Sequence, residues 1–347
     1  MNLLLVFPPG ASPTYVPLGP GLLAGYLRST CAETEVRVMD LNIEAWDYLL
    51  SIVPEGGNLR QFMQGQGKNF YDMTTYQQET GSWVSVVRCM ATLAAEAEHY
   101  VNEGAAGPLV EKFLAEQTSR MAGFEPSRVG FTVLFPHQLV FALALARRLR
   151  ERMCDRWEED VRIREDEPPR LRVLLGGAAL ASVEVQELLE ACPYVDGVIL
   201  GEGEPAIAAL RHDAPHSMTP GLITRGQGGM VRTSPARRLA IDPMPPADFS
   251  DIDLGRYLTP EPVLPMLASR GCRWRRCRFC DHNHSFGAFR GRTPERVVDE
   301  LECQADRHGV RCFYFADPYG DEFLLQGIAS TILSRGLKIN FHVMGRP

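Results

Sequence analysis

The sequence predicts an α/β protein in which a doubly wound parallel sheet with a helical insertion is followed by a shorter βαβαβ series. Three observations support this prediction. Short apolar segments alternate with amphipathic helical segments along most of the chain, which is typical of parallel sheets covered on both faces. A Pro- and Asp-rich segment interrupts this alternation once. The length of 347 residues fits two domains at roughly 150 residues each.

Five apolar strands are predicted in the first domain, residues 1–213. They are LLLVF at 3–7, VRVMD at 36–40, RVGFTVLF at 128–135, LRVLLGG at 171–177 and VDGVILG at 195–201. Helical spacing of leucines follows the first strand. Residues 42–126 contain no strand-like run, and SWVSVVRCMATLAAEAEHYV has the pattern of a long amphipathic helix. We therefore expect a helical insertion after the second strand.

The remainder of the chain divides into a connector and a second domain. Residues 214–262 are rich in Pro, Gly and Asp, which favours a connector over a packed layer. The alternation restarts in residues 263–347, with strands at 263–270, 310–317 and 337–345 separated by two helices. A βαβαβ series of this kind is the repeat from which α/β barrels are built. Because a closed eight-stranded barrel needs about 200 residues or more, the barrel is either incomplete or continued in a longer protein.

Composition and charge exclude several classes of partner. The net charge is −7, with 45% hydrophobic and 23% charged residues, so binding of nucleic acid through bulk basicity is disfavoured. The N-terminal run MNLLLVFPPG lacks a basic flank and stops at Pro8 and Pro9, which is too short for a signal peptide or a membrane span. We expect a cytoplasmic protein with no nucleic-acid or membrane partner.

The most specific local signal is a cysteine cluster directly after a predicted strand. In SRGCRWRRCRFCDH, Cys272, Cys277 and Cys280 have C-x4-C-x2-C spacing. Thiolates select zinc, copper(I) or iron–sulfur clusters, and a 4Fe-4S cluster with three cysteine ligands leaves one iron open. A Cys3His zinc site completed by His282 or His284 is the alternative.

Arginines surround this cysteine loop. A positive environment stabilises thiolates and bound carboxylates, whereas a solvated basic surface is the alternative interpretation. The arginines concerned are Arg270, Arg273, Arg275, Arg276, Arg278, Arg290 and Arg292.

The cysteine loop resembles that of the radical S-adenosylmethionine (radical SAM) superfamily, although the usual family spacing is one residue shorter, C-x3-C-x2-C. The resemblance implies a partial TIM barrel and a 4Fe-4S cluster on the three cysteines, with SAM bound to the open iron. It places Phe279 near the adenine of SAM. Asp317, at the end of the second strand of this domain, resembles a recurrent cofactor-binding Asp of the family, with a turn-capping role as the alternative.

Almost the whole chain outside the insertion resembles the cobalamin-binding subfamily of these proteins. The motifs concerned are FPPG, PLGPGLLAGYL, the GG and GEGE that follow two strands, the connector and the cysteine loop. The resemblance implies a Rossmann-like cobalamin-binding domain. It assigns corrin and nucleotide-tail contacts to Gly176, Gly177, Gly201, Glu202 and Glu204. Since the chain has no D-x-H-x-x-G motif, a histidine lower ligand is not expected.

The function implied by this resemblance is that of a class B radical SAM methyltransferase. Such an enzyme cleaves SAM to a 5′-deoxyadenosyl radical and transfers a methyl group from methylcobalamin to a small-molecule or peptide substrate. It takes its electron from a donor such as flavodoxin or ferredoxin. Other members of the subfamily perform ring closures or rearrangements, so a related radical modification of the substrate is also open. Two alternatives stay open: a non-catalytic zinc- or corrinoid-binding module, and an inactive fragment of a longer radical SAM enzyme.

Overall fold

The computed structural model describes residues 1–31, 33–153, 171–210, 218–226, 229–235, 238–278, 280 and 287–345. Within them, the first part of the chain forms a seven-stranded sheet with the order β2-β1-β3-β4-β5-β6-β7. The strands are β1 (Asn2–Phe7), β2 (Glu35–Asp40), β3 (Arg128–Thr132), β4 (Arg172–Gly176), β5 (Gly197–Ile199), β6 (Leu222–Gly226) and β7 (Gly229–Arg232). Strands β1 to β5 are parallel, whereas β6 and β7 are antiparallel to their neighbours. The prediction of an α/β fold with a mostly parallel central sheet is confirmed.

Helices cover both faces of this sheet. The helices in this part of the chain are α1 (Leu18–Thr30), α2 (Leu41–Ile52), α3 (Gly56–Met63), α4 (Met73–Glu79), α5 (Trp83–Glu103), α6 (Pro108–Ala122), α7 (Gln138–Met153), α8 (Val185–Ala191) and α9 (Gly203–Leu210). In β1, Leu3 and Leu5 pack on the side of α1, while Leu4 and Val6 belong to the core shared with α5, α6 and α7. Successive side chains of a strand point to opposite faces, so a strand covered on both sides is apolar at every position.

The chain between β2 and β3 is helical, as the sequence predicts. Helix α5 corresponds to the predicted amphipathic segment and buries Val86, Leu93, Ala97 and Tyr100 on one side. Spacings of three, four and seven residues place these side chains on one helical stripe. The helix ends at Gly104, whose φ of 78° is left-handed, the usual conformation of a helix C-terminal glycine.

The described part of the segment 214–262 differs from the predicted connector. Strands β6 and β7 extend the first sheet beyond β5, and Met244, Ala247, Phe249 and Tyr257 are buried. The sequence does not reveal these strands because β6 is buried only over its first three residues and β7 is largely exposed, so neither has a clear two-residue hydrophobic period. The segment is therefore partly a packed layer.

The last part of the chain contains two small sheets and two helices. Their elements are β8 (Val263–Met266), β9 (Ser269–Arg270), β10 (Arg290–Gly291), α10 (Pro294–His308), β11 (Cys312–Phe315), α11 (Glu322–Ser334) and β12 (Asn340–Val343). Strands β12, β11 and β8 form a parallel sheet in that order, and β9 pairs with β10 antiparallel. One hydrophobic core joins this sheet to α10, α11 and α2. Among the helices of the described ranges, none has the length and apolar content needed to cross a membrane.

Candidate functional site

The predicted metal ligands lie on a loop between β9 and β10. Cys272, Cys277 and Cys280 are each partly buried, and none takes part in a disulfide. Gly271 begins the loop with a φ of +83°, and a Cβ there would lie 2.6 Å from the carbonyl oxygen of Ala288. Glycine is required where the two ends of the loop approach this closely. The loop is thus closed at its base, before its first cysteine.

The donor chemistry of this loop fits an iron–sulfur cluster, because three thiols within one short loop are the ligands such a cluster takes. All three cysteines are among the described residues, and in that part of the chain no three His, Cys, Asp or Glu side chains meet at metal-binding distance. The structure therefore does not itself bring the three sulfurs together, and their convergence on a cluster stays a prediction. Phe279 and the alternative zinc ligands His282 and His284 lie outside the described residues.

Asp317 holds the strand that leads into the cysteine loop. Its carboxylate, 2% exposed, accepts hydrogen bonds from the backbone N–H of Ala268 at 3.2 Å, from the N–H of Ser269, and from the Ser269 hydroxyl at 2.7 Å. Burial raises the pKa of Asp317 to about 6, although these hydrogen bonds oppose the rise. The expected contact of Asp317 with a cofactor stays a prediction, and the structure adds a positioning role for the same side chain.

The three glycines predicted to approach a cofactor have different surroundings. Gly177 has a φ of +115°, and its Cβ would lie 2.3 Å from the carbonyl oxygen of Val133, while Gly176 has ordinary space around it. Gly201 has a φ of +94°, and a Cβ there would meet no atom within 4 Å. Gly177 is therefore explained by packing against the backbone after β3, whereas Gly201 leaves open surface at the end of β5.

The two glutamates after β5 contact arginines at the base of the cysteine loop. Arg270 donates to Glu204 at 2.5 Å, and Arg290 donates to Glu202. Burial works to raise the pKa of Glu202, but hydrogen bonds from Arg290 and Leu239 and the charge of Arg270 hold it below its usual range. Contact of these glutamates with cobalamin stays a prediction. In this structure both carboxylates form ion pairs with arginines.

Several arginines around the loop have structural partners. Arg273 pairs with Asp321 and lies 4.0 Å from the ring centre of Phe289. The buried Arg292 pairs with Glu300 on α10. The positive charge near the cysteines is therefore partly compensated by neighbouring carboxylates.

Two buried amide side chains that the sequence analysis does not single out shape the carboxyl edge of the first sheet. The Oδ1 atom of Asn42 accepts two backbone N–H bonds, at 3.1 and 2.9 Å, from the loop after β1. The Oε1 atom of Gln138 accepts two, at 2.9 and 3.0 Å, from the loop after β3, and its Nε2 donates to Pro8 at 2.7 Å. The only sequence signal for these two residues is their position: Asn42 comes just after β2, and Gln138 is the first residue of α7.

Aromatic side chains line the same edge. The ring centres of Phe7 and Tyr15 are 6.0 Å apart, and those of Tyr15 and Phe135 are 5.9 Å apart. Burial raises the pKa of Tyr15 to about 12, with a smaller contribution from Tyr314 on β11. Tyr314 in turn stacks on His342 with ring centres 5.4 Å apart. Tyr15 at the edge of the first sheet is thus within electrostatic range of Tyr314 on the second sheet.

A mostly parallel sheet followed by a second, parallel sheet, with a three-cysteine loop between β9 and β10, is the organisation that the resemblance to cobalamin-dependent radical SAM enzymes implies. Solved structures of that class share the fold. The chain is similar to the radical SAM methyltransferase TsrM from Kitasatospora setae, with 17% identity, a TM-score of 0.56, and coverage of 96% of this chain and 51% of that one. It is also similar to the cobalamin-dependent SAM radical enzyme OxsB, with 16% identity, a TM-score of 0.62, and coverage of 99% and 38%. The resemblance inferred from the motifs is confirmed for the fold.

Curated sequences extend the similarity. An uncharacterized methyltransferase of Pyrococcus horikoshii is 28% identical over 190 residues, which are 50% of this chain and 39% of that protein. The anaerobic magnesium-protoporphyrin IX monomethyl ester cyclase of Cereibacter sphaeroides is 30% identical over 173 residues, 46% of this chain and 28% of that protein. No protein-family profile matches the chain. The match thus spans well under half the length of these curated relatives.

Proposed function

We propose that this chain is a radical SAM enzyme whose 4Fe-4S cluster is anchored by Cys272, Cys277 and Cys280. The observation that supports this most is the position of the cysteine loop. The loop lies between β9 and β10, shortly after β8, the first strand of a parallel sheet. Its base contacts the carboxyl edge of the first, mostly parallel sheet through Glu202 and Glu204. The carboxyl ends of parallel strands are where α/β proteins bind their cofactors.

The cluster would supply the electron that cleaves SAM, and cobalamin, when bound, would carry the methyl group. The chain's own residues contribute position and charge. Gly271 allows the loop to close against Ala288, and Asp317 holds the preceding backbone at Ala268 and Ser269. Both devices limit the motion of the segment that carries the cysteines.

We infer that the reaction is a cobalamin-dependent methyl transfer to a small-molecule or peptide substrate, with flavodoxin or ferredoxin as electron donor. The fold neighbours support the class of reaction. The open surface at Gly201 and the aromatic groups Tyr15 and Phe135 offer room and apolar surface for a large planar cofactor. Strands β8, β11 and β12 would then be the first strands of a barrel.

Anaerobic reconstitution with iron and sulfide tests this proposal. We expect about four irons and four sulfides per chain, the content of one such cluster, and cleavage of SAM to 5′-deoxyadenosine under reducing conditions. With hydroxocobalamin present, transfer of a methyl group from SAM would release S-adenosylhomocysteine. Replacing Cys272, Cys277 and Cys280 by alanine should remove the iron and both products.

Cys303→Ala is the matched control, because Cys303 is also partly buried but lies on α10, outside the loop. This variant should keep its iron, and circular dichroism should show that all variants fold. A protein that binds one zinc ion and no sulfide would contradict the proposal and favour a Cys3His zinc module. Iron uptake that survives loss of the three cysteines would contradict it as well.

A further inference from the structure

Two arginines close the base of the cysteine loop. Arg270 on β9 and Arg290 on β10 lie directly opposite each other in the antiparallel pair. The segment between them, residues 271–289, contains Cys272, Cys277 and Cys280. Contacts that fix these two arginines therefore also fix the base of the loop.

Both arginines are held by the turn that follows β5 and by the first turn of α9. Arg270 contacts Glu204 through both Nη atoms, with Nη2–Oε1 at 2.5 Å and Nη1–Oε2 at 3.4 Å. Its Nη1 also lies 3.6 Å from Oε2 of Glu202, and Arg290 contacts the other oxygen of Glu202. Leu239 completes the cluster, since its N–H donates to Glu202 at 3.1 Å and its carbonyl accepts from Arg290 at 2.7 Å.

The cluster is buried and balanced in charge. The side chains of Arg270 and Glu204 are 7% and 3% exposed, and those of Arg290 and Glu202 are 19% and 9% exposed. Two positive and two negative groups compensate each other among side chains that are at most 19% exposed. Removing one partner would leave a charge buried without its counterion, which is strongly destabilising, so the loop base has one favoured position relative to the first sheet.

We propose that Glu202 and Glu204 are positioning residues for the cysteine loop, and that they act through Arg270 and Arg290. This inference rests on the proposed function, because it assigns the loop to a metal centre. Gly201, which has open space above it, directly precedes the two glutamates. The turn that offers room for a cofactor on the first sheet is thus the same turn that sets the distance to the cysteines.

The test compares Glu204→Gln and Glu202→Gln with the parent chain after reconstitution. Three properties are measured: the rate at which a chelator removes iron, the electron paramagnetic resonance spectrum of the reduced cluster with and without SAM, and the affinity for hydroxocobalamin. We expect iron release at least about tenfold faster, the size seen when groups that orient metal ligands are lost, together with an altered spectrum. Affinity for hydroxocobalamin should stay within about twofold, since neither glutamate would contact it.

Glu44→Gln is the matched control. Glu44 also forms a two-oxygen contact with an arginine, Arg256, at 2.7 and 2.8 Å, but on α2, outside the base of the loop. Its iron release and spectrum should equal those of the parent chain. If Glu204→Gln does not fold, Arg290→Lys and Glu202→Gln, at the more exposed end of the cluster, provide the same comparison.

The outcomes separate this inference from the proposed function. Weakened hydroxocobalamin binding with unchanged iron release would overturn it and return both glutamates to direct cofactor contact. Unchanged values in all three measurements would overturn it too. If the parent chain takes up zinc but no iron, the proposed function fails. In that case faster zinc release from the two variants would still support the positioning role, and unchanged zinc release would refute the positioning role.

Discussion

Gly177→Ala should destabilise the protein far more than Gly201→Ala, although the sequence predicts the same cofactor contact for both glycines. Gly177 has φ 115° and ψ 166°, a region whose occupation by another residue costs about 1–3 kcal/mol. Its Cβ would also lie 2.3, 2.7 and 2.8 Å from the O, C and N atoms of Val133. Those atoms cannot shift freely, because the Val133 N–H donates to the Gly176 carbonyl at 2.7 Å. Such overpacking adds about 1–3 kcal/mol, so we expect a total loss of about 4 kcal/mol.

Gly201→Ala isolates the backbone contribution. Its φ of +94° is left-handed, but the Cβ would enter open space, so only the conformational cost of about 1–3 kcal/mol applies. Urea unfolding followed by circular dichroism measures both losses. Gly57→Ala, at an uncrowded position in α3, serves as control and should stabilise the chain by about 0.5–1 kcal/mol. Equal unfolding midpoints for Gly177→Ala and Gly201→Ala would refute the packing explanation of Gly177.

Three further predictions follow from described contacts. Burial raises the pKa of Asp40 from 3.8 to about 7, so the stabilising effect of Asp40 is complete below about pH 4 and is lost as the pH rises to 7. Asp40→Asn should therefore remove a slope of at most about 1.4 kcal/mol per pH unit from the pH dependence of the free energy of unfolding. An unchanged slope in urea titrations at several pH values would contradict this. Gln138→Leu should lower the free energy of unfolding by about 2–4 kcal/mol in the same assay, because it leaves buried backbone N–H groups of the loop after β3 without their acceptor. A decrease below about 0.5 kcal/mol would show that other acceptors replace the Gln138 side chain. Asp321→Ala should lower the free energy of unfolding by about 1 kcal/mol, because the N–H of Leu324 loses its helix cap. Arg273→Ala, which removes the ion-pair partner of Asp321, should cost less, since the Arg273 side chain is 60% exposed. Equal thermal shifts for the two variants would assign the effect to the ion pair between them instead.

The parts of the fold that the sequence predicts are those with strong local patterns. Strand β1 is apolar at every position from Leu3 to Phe7 because helices cover both of its faces. Helix α5 is predictable because its buried positions recur at helical spacing. Strands β6 and β7 escape prediction because β6 is buried only over its first three residues and β7 is largely exposed at the edge of the sheet, where burial imposes no regular period.

In the candidate site, too, only the features with a local sequence pattern can be predicted. The three cysteines lie within one short loop, so their spacing alone predicts them as metal ligands. The ion pairs that hold the loop join residues 66 and 88 positions apart, and no local pattern encodes such a distance. The contacts of Asp317 with Ala268 and Ser269 span 49 and 48 positions, and they are equally invisible in the sequence.

The turn GEGE illustrates why composition alone cannot separate a ligand contact from a structural one. A glycine-rich turn with carboxylates at the end of a parallel strand suits a polar cofactor, but carboxylates at that place also suit any arginine that the fold brings near. Geometry separates the two at the level of individual residues: Gly201 has open space, whereas Glu204 is 3% exposed and bonded to Arg270. A single tetrapeptide thus combines an open surface with a buried contact to the cysteine loop, and substitutions of its glycine and of its glutamates should have separable effects on cofactor affinity and metal retention.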